Sequence, residues 1–152
     1  GCVFAPPVIG QPLAFYMGDD AGNEYVYKFV TRARYHRGCD GDILDDGTLY
    51  VARFDEDGSG EWLALDFRDR AFREAAAAAG VEFKDQADVL VNTRLAADVV
   101  GATRMDRPEW GAVHPATREV YMTMTNNTGR TVTDAANPRA RNATGHIIGW
   151  RE

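Results

Sequence analysis

The sequence has few cysteines, no long apolar run and no excess of basic residues. Its two cysteines, Cys2 and Cys39, are too few for a disulfide framework and lack zinc-finger spacing, and we expect them to be unpaired. No apolar run is long enough to span a bilayer. The formal net charge is −6, whereas nucleic-acid binding requires a basic face. We therefore expect neither a membrane nor a nucleic acid as partner.

The composition is that of an ordinary globular chain. The sequence has 152 residues, of which 45% are hydrophobic and 26% charged. This is enough for one domain with its own core. The surplus of carboxylates favours solubility first and divalent cations second.

The first half of the chain is typical of β-structure. Gly1 to Pro12 contains three prolines and predicts an extended lead-in. Aromatic and β-branched segments bounded by Gly and Asp then predict strands: Leu13–Met17, Glu24–Val30, Thr48–Phe54 and Glu61–Leu65. The acidic segment Asp55–Gly60 has turn composition and lacks the oxygen spacing of a calcium loop, so we interpret it as a hairpin turn.

The middle of the chain changes to a helical pattern. Arg68–Ala79 ends in successive alanines before Gly80, which predicts a helix with a glycine stop. Phe83–Val100 has apolar residues at helical spacing, with Asp85 as a possible cap and a possible break at Asn92 and Thr93. The apolar stripe of this second helix favours core packing over a cofactor site.

The segment Arg107–Asn127 predicts a hairpin with a turn at residues 114–117, followed by a polar loop at 128–144 and a last strand at 145–151. In a hairpin the start of one strand lies beside the end of the next. Arg107 and Glu109 should therefore converge with Asn126 and Asn127 on one rim. A cation, a carboxylate and two amides suit an oxyanion held with a hard metal ion.

A weak internal repeat suggests how these strands are arranged. Tyr16–Asp20 and Thr123–Asn127 each end a strand in two oxygen-bearing side chains, and each is followed by a loop and another strand. Consecutive blades of a β-propeller would show this pattern. We expect a mainly β chain of about two antiparallel blades, in residues 13–65 and 105–152, with a helical insertion at 68–101. The whole of 1–152 would be one segment of a propeller domain.

An ordered series of motifs resembles the PhoX-type alkaline phosphatases. The series begins with M-G-D-D, E-Y-V-Y-K-F-V and D-G-T-L-Y-V-A-R-F. It continues with D-Q-A-D-V-L-V-N-T-R-L-A-A-D, M-D-R-P-E-W, V-Y-M-T-M-T-N-N, D-A-A-N-P-R and G-H-I-I-G-W-R-E. The resemblance covers nearly everything from Met17 onward. Full-length members of the family are several times longer, and no counterpart of their Cys-Glu-Glu segment occurs in this sequence.

Membership of that family would imply a propeller phosphomonoesterase of the periplasm or secreted space, acting on phosphate esters with iron and calcium ions. The resemblance implies that Arg107 contacts the phosphate and that Glu109 is a metal ligand. Asp20 and Asn127 would complete the metal ligands present here. Asn126 or Asn127 would lie in the same cluster, and a metal role at the strand end of Asp19 and Asp20 is less secure than that of Glu109.

Simpler interpretations exist for each candidate. Arg107 and Glu109 could be a solvated surface pair on one strand face. Asn126–Asn127 and Gly18–Asp20 also have turn composition. The isolated histidines, His36, His114 and His146, are expected to be structural.

Two other functions remain open from the sequence. The chain could be a non-catalytic propeller fragment that binds calcium or a protein partner. It could also be similar to a calcium-dependent phytase, which would share the architecture and differ in substrate.

Overall fold

The computed structural model describes all 152 residues as two antiparallel sheets with three short α-helices. The prediction of a mainly β chain is therefore confirmed. The first sheet has five strands in sequence order: β1 (Cys2–Phe4), β2 (Pro12–Gly18), β3 (Val26–Arg34), β4 (Gly47–Phe54) and β5 (Gly60–Ala64). One turn of 3₁₀ helix at Gly41–Leu44 precedes β4.

All four strands predicted in the first half of the chain are present, with two differences. The proline-containing lead-in includes a strand, because Cys2 to Phe4 pair with Met17 to Phe15 of β2. The third strand extends to Arg34, beyond the predicted end at Val30. Polar residues continue β3 there because Thr31 is 2% exposed and its hydroxyl accepts a hydrogen bond from the Leu13 amide at 2.9 Å.

The helices pack on one face of the first sheet. They are α1 (Arg70–Ala78), α2 (Gln86–Val91) and α3 (Thr93–Val99). Asp69 and Asp85 cap α1 and α2 through their side chains, and Gly80 adopts φ +69° after α1. The predicted second helix is broken at Asn92. No helix is both long and apolar enough to cross a membrane.

The core under these helices is apolar. It is formed by buried residues of β3, β4, the helices and the segments that adjoin them, with small alanines where α1 and α3 approach closely: Tyr25, Tyr27, Val51, Leu65, Phe72, Ala76, Phe83, Val89, Ala96 and Ala97. Burial of each large apolar side chain in this core stabilises the folded chain by roughly 1.5–3 kcal/mol. The helical segment is thus part of the first sheet's core.

The second sheet has three strands, β6 (Pro108–Val113), β7 (Val120–Met124) and β8 (His146–Trp150), in sequence order. The hairpin, the irregular loop and the last strand predicted after residue 107 are all present. A second buried cluster, which includes Val26, Ala52, Met105 and Met122, joins this sheet to the first. The five and three strands observed differ from the four strands of a standard propeller blade.

The two sheets meet where β2 ends and β6 begins. A Cβ atom at Gly18 would lie 2.5 Å from the carbonyl oxygen of Pro108, so only glycine allows this approach. A Cβ atom at Gly111 of β6 would likewise lie 2.7 Å from Cγ1 of Val3 in β1. The junction brings the residues after β2 alongside those before β6, although they are far apart in the sequence.

Candidate functional site

Arg107 lies at this junction in an unusual backbone conformation. Its φ is +58°, a left-handed value that is uncommon for a residue with a side chain. The strand was expected to open at Arg107, but β6 begins at Pro108. The correction has a physical reason, because a left-handed residue cannot continue the pleat of a strand.

The Arg107 guanidinium contacts a residue from the first sheet. Its Nε lies 3.0 Å from Oδ1 of Asp20, and its Nη2 donates to Oδ2 at 3.2 Å. Nη1 donates to Oδ1 of Asn126 at 3.1 Å. Thr125 completes the group, since its hydroxyl lies 3.3 Å from Asp20 Oδ1 and donates to the Arg107 carbonyl at 2.9 Å. Three of the polar groups named from the sequence therefore converge: Asp20, Arg107 and Asn126.

Both charged members of this group remain reachable from solvent. The Arg107 side chain is 38% exposed and that of Asp20 is 34% exposed. A guanidinium has five N–H groups. One N–H of Nη2 donates to Asp20 and one N–H of Nη1 donates to Asn126, and the Nε group lies in ion-pair contact with Asp20. The remaining two are available to an incoming anion.

Glu109 does not pair with Arg107. It is exposed, and its carboxylate makes no hydrogen bond or ion pair within the chain, whereas the only ion pair of Arg107 is with Asp20. The interpretation of Arg107 and Glu109 as a surface pair on one strand face is therefore wrong. Glu109 is a free carboxylate two residues from the guanidinium.

Asn126 and Asn127 point in different directions. Asn126 reaches Arg107, whereas Asn127 is 8% exposed and donates from Nδ2 to Oδ1 of Asn23 at 3.0 Å. The Asn127 backbone amide also donates to the Asn142 carbonyl at 2.6 Å. Asn127 thus closes the end of β7 against two loops.

Asp19 and Asp20 are likewise separated. Arg94 of α3 holds both oxygens of Asp19 at 2.8 Å and lies 3.5 Å from Oε2 of Glu24. The pKa of the Glu24 carboxyl is raised, because burial and the neighbouring Asp19 together outweigh the opposite effect of Arg94. The helices therefore anchor Asp19, and Asp20 alone faces the junction.

The ligands predicted for metal ions fit calcium in chemical type, since carboxylate and amide oxygens are its preferred donors. They do not form a closed site within this chain. No group of three or more His, Cys, Asp or Glu side chains is placed to hold a metal ion. The Asp20 carboxylate is occupied by Arg107, and the Asn127 amide nitrogen is bonded to Asn23. Glu109 is the one predicted ligand without a protein partner.

A buried polar cluster behind the junction was missed from the sequence. Asp106 is 0% exposed and forms an ion pair with Arg130, whose side chain is 8% exposed. Asn142 donates to the second Asp106 oxygen at 2.9 Å, and His146 lies 3.0 Å from Asn142. We call these four residues the buried cluster. The sequence signal was weak, because Arg130 and Asn142 lie in a segment whose composition predicts only a polar loop.

The three histidines make contacts with backbone groups, and the cysteines are unpaired, as expected. His114 accepts two backbone amides of its own turn through Nδ1, and His146 contacts Asn142 and the Ala136 carbonyl. His36 lies beside the carbonyl of its neighbour. Both cysteines are free.

Comparison with known proteins identifies the family. A family model described as alkaline phosphatase PhoX matches residues 8–152. The chain belongs to the PhoX alkaline phosphatase family. The solved structure of Pseudomonas fluorescens PhoX in complex with vanadate, a transition state analogue, matches with 42% sequence identity and a TM-score of 0.82. No curated protein matches.

The alignment to the PhoX structure is nearly complete on one side only. It covers 97% of this chain and 27% of the Pseudomonas fluorescens protein. This chain therefore spans about a quarter of the length of the Pseudomonas fluorescens protein. The prediction that this chain is a segment of a PhoX protein is confirmed, and the chain is related to phosphatases by descent.

Proposed function

We propose that this chain supplies the phosphate-contacting part of a metal-dependent phosphomonoesterase, with Arg107 as the phosphate contact. The observation that carries the proposal is the exposed guanidinium of Arg107, which Asp20 and Asn126 hold while two of its N–H groups stay free. A planar guanidinium matches the oxygens of a phosphate, so these donors suit a phosphoryl group. The vanadate bound by Pseudomonas fluorescens PhoX is also an oxyanion.

In this proposal Asp20 and Asn126 orient Arg107. Asp20 accepts a hydrogen bond from Nη2 and lies in ion-pair contact with Nε along one side of the guanidinium, which restricts rotation of the long side chain. Asn126 restricts it from the other end. Prior ordering of the arginine reduces the entropy lost when the phosphate binds. Donors fixed in this way also stabilise charge that develops on the phosphoryl oxygens in the transition state.

The charge balance of the site supports a requirement for cations. Arg107 is already neutralised by Asp20, and Glu109, two residues along the chain, is a carboxylate without a charged partner, so a phosphate dianion bound at Arg107 would lack compensating positive charge. Bound calcium and iron would supply the missing positive charge and position the attacking oxygen. We propose Glu109 as a ligand of such an ion, because its carboxylate is exposed and has no partner within the chain, and we propose Asp20 and Asn127 as further ligands.

The proposal also covers the arrangement of the two sheets and the compartment in which the enzyme acts. We propose that the first sheet and the second sheet are parts of adjacent propeller blades, with the junction of β2 and β6 at the channel mouth. The substrates would be phosphate esters met in the periplasm or outside the cell. The match to PhoX over nearly the whole chain supports both statements.

The test uses a full-length PhoX protein that contains this segment, assayed with an aryl phosphate in the presence of calcium and iron. Arg107→Met should lower kcat/KM by roughly 100- to 1,000-fold, the effect of removing one preorganised donor to an oxyanion. The matched control is Arg118→Met, because Arg118 is also a left-handed arginine (φ +61°) but lies at the opposite end of the hairpin. Equal losses in both variants would contradict the proposal.

Glu109→Gln separates metal binding from phosphate binding, since it removes the charge and keeps the shape. We expect fewer bound metal ions per protein and reduced turnover. Undiminished turnover and metal content would remove Glu109 from the site.

A non-catalytic, calcium- or partner-binding role is the second candidate, because the chain covers only 27% of the Pseudomonas fluorescens PhoX and the metal ligands proposed for catalysis do not form a closed site within it. Calcium titration with thermal melting of the 152-residue chain examines it, because a ligand that binds the folded state raises the melting temperature. A melting temperature that does not change with calcium would count against this candidate.

A further inference from the structure

We propose that Asp106 and Arg130 are positioning residues for the phosphate site, which act by fixing the backbone of Arg107. The inference rests on the proposed role of Arg107 and extends it to two residues that never reach the rim. Asp106 is 0% exposed and the Arg130 side chain is 8% exposed. Neither can therefore touch a substrate.

The Asp106–Arg130 pair is unusually well satisfied for a buried ion pair. Arg130 Nη2 donates to the Arg104 carbonyl at 2.7 Å, and Nη1 lies 3.7 Å from Oδ2 of Asp134. The second Asp106 oxygen accepts from Asn142 at 2.9 Å. Burying charges is costly, and apolar side chains of similar volume often stabilise a fold as well or better. The pair is thus better explained by the geometry that it fixes than by stability.

The geometry in question is the left-handed backbone of Arg107. A non-glycine residue with positive φ persists when its surroundings determine its conformation. On its N-terminal side Arg107 follows Asp106, which the buried cluster holds. On its C-terminal side it precedes the buried Pro108, and its carbonyl accepts from the Thr125 amide at 3.1 Å and the Thr125 hydroxyl at 2.9 Å. On the N-terminal side the backbone of Asp106 also forms a bridge with Gly22, and releasing the Asp106 side chain would leave that bridge as the remaining anchor there.

Asn142 links Asp106 to the end of β7, where Asn126 and Asn127 lie. Its Nδ2 binds Asp106, and its carbonyl accepts from the Asn127 amide. The bend that carries Asn126 is therefore fixed by the loop that fixes Asp106. Arg107 and its partner Asn126 take their relative position from one buried cluster. A displacement of about 1 Å at such a site can cost about 100-fold in rate.

The test compares variants in a full-length PhoX protein that contains this segment, with its metals bound. Arg130→Met should raise the inhibition constant of inorganic phosphate and the KM of an aryl phosphate about 10-fold or more, measured well below the melting temperature of the variant. Arg130→Lys keeps the charge and should fall between Arg130→Met and the parent protein. If Arg130→Met does not fold, Arg130→Lys and Asn142→Ala give the same comparison.

The matched control is Val51→Ala, which creates a cavity in the apolar core of the first sheet, where Val51 is 0% exposed. It should lower the melting temperature but change the phosphate inhibition constant by less than about twofold. Arg130 variants that melt earlier with an unchanged inhibition constant would overturn the proposal.

A double substitution separates this inference from the proposed function. If Arg130 acts through Arg107, adding Arg130→Met to Arg107→Ala should raise the inhibition constant little further. Full additivity would overturn the positioning role while leaving Arg107 as a phosphate contact. If Arg107→Ala alone leaves phosphate inhibition unchanged, the proposed function fails, and with it the role of Arg130.

Discussion

Two arginine–aspartate pairs join distant segments of this chain, and they differ in nearly every physical respect. Arg130–Asp106 is buried between the segment before β6 and the loop after β7, whereas Arg107–Asp20 is more than one-third exposed at the junction between the sheets. A buried pair is costly to break and an exposed pair contributes little to stability. The buried pair therefore helps to fix the backbone before β6, whereas the exposed pair leaves the Arg107 guanidinium accessible to solvent.

The largest expected effect is on the buried pair. Arg130→Met should lower the free energy of unfolding by about 3–5 kcal/mol, because it leaves the Asp106 charge buried without a partner. Urea denaturation of the 152-residue chain would measure it. A loss below about 1 kcal/mol would mean that Asp106 finds another partner or water, and the contrast between the pairs would disappear.

A third pair, Arg104–Asp98, is in contact with the buried Tyr25 hydroxyl. Ionisation of this hydroxyl should make the stability of the chain depend on pH. Burial and a 2.5 Å hydrogen bond to Asp98 raise the pKa of the Tyr25 hydroxyl to about 12. Since the folded-state pKa is raised, the stabilisation is complete below about pH 10, the ordinary pKa of tyrosine, and is lost as pH rises towards 12. The loss should reach roughly 2.5 kcal/mol.

Urea midpoints at pH 9 and pH 11.5 would measure this loss as the difference between the parent protein and Tyr25→Phe. Burial also raises the pKa of Tyr16 and of Tyr27, and these two residues contribute to the fall in both proteins. An equal fall in both proteins would assign the pH effect to other groups.

The junction beneath the exposed pair is tested by Gly18→Ala. The new methyl group would meet the Pro108 carbonyl and push β2 and β6 apart, which should cost about 2 kcal/mol. Gly41→Ala is the matched control, because nothing lies within 4 Å of its Cβ position. If the two variants melt at the same temperature, the sheets are not in close contact at Gly18.

The smallest expected effect is on the exposed pair itself. Arg107→Met should change the free energy of unfolding by less than about 1 kcal/mol, because an ion pair in contact with solvent is weak. Thermal melting of the 152-residue chain at low and high salt would show it. A loss as large as that of Arg130→Met would make Arg107 a structural residue and weaken its proposed role with phosphate.

Much of the fold could be predicted from local pattern. The aromatic and β-branched residues around Tyr25 and the alanines before Gly80 have preferences that packing reinforces, so strand and helix were both recognised. The break at Asn92 followed from the polar residues there. β1 was missed because three prolines nearby predicted only extended chain, although the pairing residues themselves precede Pro6.

The candidate site was less predictable, because its contacts join residues far apart in the sequence. The motif around Arg107 identified a cation, but not that Asp20 rather than Glu109 would hold it. Asn126 and Asn127 are adjacent, so composition could not tell which one faces the rim. The Asp106–Arg130 pair depends on a loop that returns to the sheet, and the polarity of a loop does not indicate where it folds.

The order of the strands has a consequence for how the chain folds. Each strand of the first sheet pairs with its sequence neighbour, and short loops close quickly. The second sheet needs β7 to find β8 across more than twenty residues of irregular chain. We therefore expect pulse-labelled hydrogen exchange to show protection in β3 and β4 before β7 and β8. Arg107 would adopt its left-handed conformation only at the end, when the loop carrying Arg130 has closed over Asp106.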